Sequence, residues 1–255
     1  MSKRYSKGKN SERGSSQYSR KVLEEKEYDP VISEKFLQER KITLTPRNPK
    51  QRQYMHMIEN CNLTIATGLA GTSKTYIPTM MAAMMLRAKQ IDRIILIRTP
   101  TSDEESIGLL PGDVVEKTKY WLMPIIDTLN KQLTPTLVEY LIKREQILCF
   151  APEFIKGMSF TNRDFVIFDE AEDMSTTIAI STVTRQGGGK MVLCGDLRQK
   201  VLNRESGLPL LLNVISKSPE LQRKVGVIDF DDFEDIVRSE DCKLWVKAFV
   251  KHEIM

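Results

Sequence analysis

The sequence predicts one α/β domain built on a mostly parallel sheet with helices on both faces. Three observations point there. From residue 63 onward, short β-prone runs alternate with helix-forming stretches, the pattern of strands joined by crossover helices. The run 164–169 carries four apolar residues in a row, as a strand covered on both faces requires, and ends in aspartate. The first run, 63–68, passes through a glycine turn directly into a helix-prone segment. A length of 255 residues suits one large domain with a proper core.

The chain opens on a basic tail. Residues 1–20 hold six basic side chains against Glu12, a net +5, whereas the whole chain is only +4. The body is therefore almost neutral. A stretch rich in Ser, Gly, Lys and Tyr buries too little apolar surface to fold, and disorder is expected. Tyr5 and Tyr18 among the cations would allow stacking on bases; a purely solubilising tail is the plainer alternative. Residues 21–45 read as an extension or linker. It has a charged, helix-prone start from Val22 to Lys26 and an apolar pair at Phe36 and Leu37, and Pro46 and Pro49 bound it. The folded domain is expected over 46–255.

Within that domain, strands are expected near 63–68, 93–98, 146–150, 164–169, 191–195 and 225–230. Helices are expected near 74–88, 113–131, 134–144, 175–186, 206–217 and 240–251. Residues 100–112 make a long polar loop containing Gly and Pro, and such loops in compact domains usually carry function. The methionine cluster from Met80 to Met85 reads as core filling.

Residues 68–75 read Gly68, Leu69, Ala70, Gly71, Thr72, Ser73, Lys74, Thr75, a phosphate-binding loop with one letter changed. Such a loop offers backbone N–H groups and a helix N-terminus to phosphate oxygens, so unpaired amides and the helix dipole both favour negative charge. Lys74 would reach the β/γ oxygens and the Thr75 hydroxyl would ligate magnesium. Ser73 stands where the pattern has its second glycine. It is small enough for close approach to phosphate, but its Cβ would make a left-handed backbone there cost about 1 kcal/mol.

A second motif follows at Asp164-Phe-Val-Ile-Phe-Asp169-Glu170, an apolar strand ending in carboxylates. Asp169 suits a magnesium contact through water, and Glu170 suits the polarisation of an attacking water. A third strand ends at Gly195-Asp196, and Gln199 beyond it would orient water and sense the γ-phosphate. Gln51, shortly before the loop, could pair with the edge of an adenine and so select ATP.

Together these stretches resemble the PhoH-like family, phosphate-starvation-type ATPases related to superfamily 1 helicases. The likeness runs from about Pro46 to Lys251. It rests on Gln51 to Tyr54, the loop, Ile107-Gly-Leu-Leu-Pro111-Gly112-Asp113, Asp169-Glu170-Ala171, Thr184-Arg185, Gly195-Asp196, Ser206-Gly207-Leu208 and Asp235-Ile-Val-Arg238. Ser73 departs from the pattern, Glu172 stands where glutamine is common, and Arg98-Thr-Pro100 and Lys156-Gly-Met158 differ from arginine-bearing turns. The resemblance implies a RecA-like P-loop core, ATP with Mg2+ as ligands, and hydrolysis connected with RNA or single-stranded DNA. It makes Arg185 and Arg238 candidates for nucleotide or subunit contact, and Arg98 for a strand-end contact. One RecA-like domain has no second half to supply an arginine to the transferring phosphate. A homo-oligomer, such as a ring, is therefore expected.

Composition narrows the classes. At 41% hydrophobic with a mean hydropathy of −0.31, the chain reads as soluble and globular. No run of 18 apolar residues predicts a membrane span, and the N-terminus lacks an apolar signal core, so a cytoplasmic location is expected. Cys61, Cys149, Cys194 and Cys242 lack metal or redox spacing, and two histidines are too few for a zinc site. Two function classes stay open: an ATP hydrolase, or an ATP-binding assembly protein with little turnover. A kinase fits less well, because Glu170 and Gln199 suit water better than a substrate hydroxyl.

Overall fold

The computed structural model describes residues 42–99, 122–198, 206–252 and 254. The basic tail, the Phe36–Leu37 pair, the Leu-Pro-Gly-Asp block, the long loop from residue 100 and Gln199 lie outside the described residues. Six strands form one all-parallel sheet: β1 (Leu63–Gly68), β2 (Arg93–Arg98), β3 (Ile147–Phe150), β4 (Asp164–Asp169), β5 (Lys190–Cys194) and β6 (Val225–Phe230). Their order across the sheet is β3-β2-β4-β5-β1-β6. The chain therefore leaves β1, passes over two positions to β2, and fills the gap on its return with β4 and β5. That ordering puts the ends of β1 and β4 on either side of β5, where a ligand at the carboxyl edge can meet both.

The helices are α1 (Pro49–Asn60), α2 (Tyr76–Arg87), α3 (Met123–Gln132), α4 (Pro135–Lys143), α5 (Thr176–Thr184), α6 (Gly207–Lys217), α7 (Pro219–Gln222) and α8 (Glu240–Lys251). Alternation along the strands divides the core in two. Ile94, Leu96, Phe165 and Ile167 turn to the side of Tyr54, Ile77, Met81, Leu129 and Leu137 on α1 to α4. Ile95, Ile97, Val166 and Phe168 turn to the side of Ile178, Leu211 and Ile215 on α5 and α6. Helices on both faces explain why β1 and β4 are buried along their whole lengths, while the edge strand β6 alternates buried with exposed. No helix among the described residues is long and apolar enough to cross a membrane.

Three expectations need correction. No helix is expected around Gln51, yet it lies in α1. Asn48 caps this helix by accepting from Gln51 N at 2.7 Å, and Pro49 occupies the first turn. The two prolines masked the helix because they read as linker boundaries. Met84 is exposed rather than core-filling, while Met80 and Met81 are buried. Residues 43–45, assigned to the linker, line the main cavity and so belong to the domain.

Candidate nucleotide site

The site lies at the carboxyl edge of the sheet, in a cavity of about 1220 Å³. Its lining includes residues 70–75 of the 68–75 loop but not Gly68 or Leu69. Gly68 has φ +116°, and a Cβ there would sit 2.3 Å from Phe230 O on the neighbouring strand, so only glycine fits. Gly71 has φ +80°, and a Cβ would press on Ile236, Arg238 and Cys242. Ser73 also adopts a left-handed backbone, with φ +74°. The strain expected from its Cβ is therefore present.

Two segments brace the loop from outside. From α1, Gln51 Nε2 donates to Thr72 O at 3.2 Å and the Tyr54 hydroxyl donates to Lys74 O at 2.9 Å. From the segment after β6, Val237 N donates to Gly71 O at 3.0 Å. Lys50 ties the two braces together by pairing with Asp231 and Asp235. Cys194 on β5 adds a contact to Lys74 O at 3.2 Å, and burial pushes its thiol up to about 12, so it stays protonated and able to donate.

The reactive groups converge inside this frame. Thr75 Oγ1 donates to Asp169 Oδ1 at 2.6 Å. Arg98, aligned with Asp169 across β2 and β4, reaches Asp169 Oδ2 at 3.2 Å and Glu170 Oε1 at 3.1 Å. Glu170 has φ +51°, a left-handed turn that breaks β4 and turns its side chain out of the strand's alternation. Lys74 Nζ donates to Gly68 O at 2.6 Å and Leu69 O at 2.7 Å. Burial lowers its affinity for a proton, and Asp196, Cys194, Glu172 and Glu170 partly restore it. Burial, then the neighbouring Glu170 charge, raises the Asp169 carboxyl above its ordinary value, while Arg98 and Thr75 pull the other way.

The expected site residues divide clearly. Gln51, Ala70 to Thr75, Asp169, Glu170 and Arg238 all line the cavity. Leu69 does not: its side chain is buried with Ile236 and Val246, and its N–H is committed to Phe230 O at 2.8 Å. Gln51 is buried with both ends of its amide already bonded, Oε1 to Arg47 N at 2.9 Å and Nε2 to Thr72 O. Its first task here is to fix the loop. Arg185 is not in the cavity lining. Helix α5 runs back from the carboxyl edge, so its C-cap arginine faces away and donates to Lys156 O at 2.8 Å. Sequence reasoning gave too little to Arg98 and Tyr54. A basic residue ending β2 in register with Asp169 was the available signal for the first.

The comparisons with known proteins agree with this geometry. Residues 43–250 match the family described as PhoH-like protein. The chain belongs to the PhoH-like family. It is 34% identical to Protein PhoH of Escherichia coli K12 over 208 residues, covering 80% of this chain and 57% of that protein. It is 34% identical to a PhoH-like protein of Bacillus subtilis over 202 residues, covering 79% and 62% respectively. The chain thus spans under two thirds of these relatives' own lengths. Among solved structures, the Pyrococcus furiosus Hef helicase domain overlaps 74% of this chain and 39% of its own, at 16% identity and a TM-score of 0.44. The chain is a P-loop nucleotide-binding protein of PhoH type.

The residues present fit magnesium. A threonine hydroxyl and a carboxylate oxygen 2.6 Å apart supply hard oxygen ligands beside a phosphate cradle, which is how this ion is usually held.

Proposed function

We propose that this chain binds ATP with Mg2+ and hydrolyses it, and that hydrolysis is coupled to RNA or single-stranded DNA. The observation that carries this reading is the convergence of Thr75, Asp169 and Glu170 at the mouth of the phosphate loop. Thr75 and Asp169 would hold the ion, which when bound would offset charge on the phosphate oxygens. Free amides from Ala70 to Thr75 and the N-terminus of α2 would receive those oxygens. Lys74 would leave the Gly68 and Leu69 carbonyls for the β/γ oxygens. Glu170, turned out of the strand, would accept a proton from the attacking water.

Arg98 pairs with both carboxylates, Asp169 and Glu170. Arg98 and Arg238 line the same cavity, so either guanidinium could serve a phosphate oxygen there. An arginine on the transferring phosphate is worth about 10³- to 10⁵-fold in rate. We propose in addition that copies of the chain assemble, with a neighbour's arginine completing the site.

The nucleic-acid part rests on the basic tail and on the family's resemblance to helicases. The test is ATP turnover with and without single-stranded RNA or DNA, for the wild type and Lys74→Ala. Stimulation by nucleic acid in the wild type and its loss in Lys74→Ala support the reading. Slow, unstimulated turnover with intact ATP binding would favour the ATP-binding assembly protein instead.

A further inference from the structure

One buried acid beside the site has no task in the mechanism above. Glu172, in the short 3-10 turn Ala171–Asp173, is 1% exposed. Its Oε2 accepts from Asp196 N at 3.0 Å, and its side chain is hydrogen-bonded to that of Glu170. Gly195 lets it approach: a Cβ there would lie 2.7 Å from Glu172 Oε2. Two carboxyl groups cannot share a hydrogen bond unless one carries a proton, and the one without solvent or a bonded cation is the one that keeps it.

We propose that Glu172 is a positioning residue for Glu170, acting as a neutral acid that donates to the Glu170 carboxylate while Asp196 N–H holds its other oxygen. The inference rests on the reading of Glu170 as the base. Glu170 is then gripped from two sides, by Arg98 and by Glu172, which fixes where its carboxylate meets a water. The same link joins the end of β4 to the Gly195-Asp196 turn after β5, so a shift in that turn would be felt at the base.

The surroundings fit this protonation. Burial, then the hydrogen bond and charge of Glu170, push the Glu172 carboxyl from the ordinary value of 4.5 up to about 9. The groups facing it are Glu170 on its own turn, Asp196 after β5, and Lys74 on the loop, which feels its charge but is bonded to Gly68 and Leu69. Leu208 of α6, packed on the other side of Gly195, is apolar.

The test uses Glu172→Gln and Glu172→Ala in the full chain, with two readouts. Thermal unfolding needs no ligand. A carboxyl raised in the folded state stabilises fully below its unfolded value and loses that contribution as pH rises to the folded one. Relative to wild type, Glu172→Gln should therefore gain melting temperature steadily between pH 5 and 9. In a Glu170→Ala background the same gain should begin at the same pH but level off earlier and end smaller, because folded-state Glu172 then ionises at lower pH. A gap that stays flat with pH, or ignores Glu170, overturns the proposal. ATP turnover is the second readout. Glu172→Gln should keep the neutral-pH rate within about threefold and lack the wild type's fall above pH 9, while Glu172→Ala should lose tenfold or more. Equal loss in both variants would also overturn it. Absence of hydrolysis in every form, with the thermal signature intact, would instead remove the hydrolase reading and leave the Glu172–Glu170 link standing.

Discussion

Replacing Ser73 by glycine is the perturbation whose effect the backbone states most directly. Ser73 has φ +74°, where an L side chain costs about 1–2 kcal/mol. Glycine removes that strain but adds freedom to the unfolded chain, an offset of about 0.4–1 kcal/mol. The net expectation is stabilisation of about 1 kcal/mol, which in a chain of this size raises Tm by about 2–4 °C. The loop's bonds should survive, because Gln51, Tyr54 and Val237 brace it through the backbone of Thr72, Lys74 and Gly71 rather than through Ser73. For the same reason, ATP affinity should change less than hydrolysis rate. Thermal unfolding without nucleotide, followed by ATP titration and turnover, measures all three. A lower Tm for Ser73→Gly would refute the strain argument, and an affinity change larger than the rate change would refute the bracing argument.

Other perturbations have outcomes set by single contacts. Gly68→Ala places a Cβ against Phe230 O and forces φ +116° on an L residue, so a loss of at least about 3 kcal/mol is expected, read as lower Tm or loss of soluble protein. Tyr54→Phe removes the hydroxyl that holds Lys74 O; it should cost about 1 kcal/mol in denaturant unfolding and weaken ATP binding measurably in titration calorimetry. Arg98→Ala leaves Asp169 and Glu170 facing each other without their cation. With the arginine side chain 22% exposed, the expected loss is about 1–3 kcal/mol, and millimolar Mg2+ should recover part of it in a thermal scan.

Much of this architecture was legible in the sequence because strands buried on both faces must be apolar throughout, and β1, β2 and β4 appear at the expected boundaries. The phosphate loop was legible because its glycines serve backbone geometry rather than side-chain chemistry. What sequence reasoning missed follows from chain direction and from bonding across elements. Arg185 looked like a site residue from its motif, yet a helix returning from the carboxyl edge carries its last residue away. Gln51 and Leu69 were placed correctly near the loop, but their commitment to Arg47, Thr72 and Phe230 depends on contacts between segments distant in sequence. Glu172 read as a departure from a pattern, and only burial beside Glu170 and Asp196 gives it a role.

The most direct test of the central claim is a paired measurement of ATP binding and single-turnover hydrolysis, with Mg2+, on the wild type and Glu170→Gln. If Glu170 is the base, the variant should bind ATP within a few-fold of wild type and hydrolyse it about 10²-fold or more slowly. Hydrolysis by Glu170→Gln at the wild-type rate would contradict that assignment. A wild type that shows no magnesium-dependent ATP binding would contradict the account of the site as a whole.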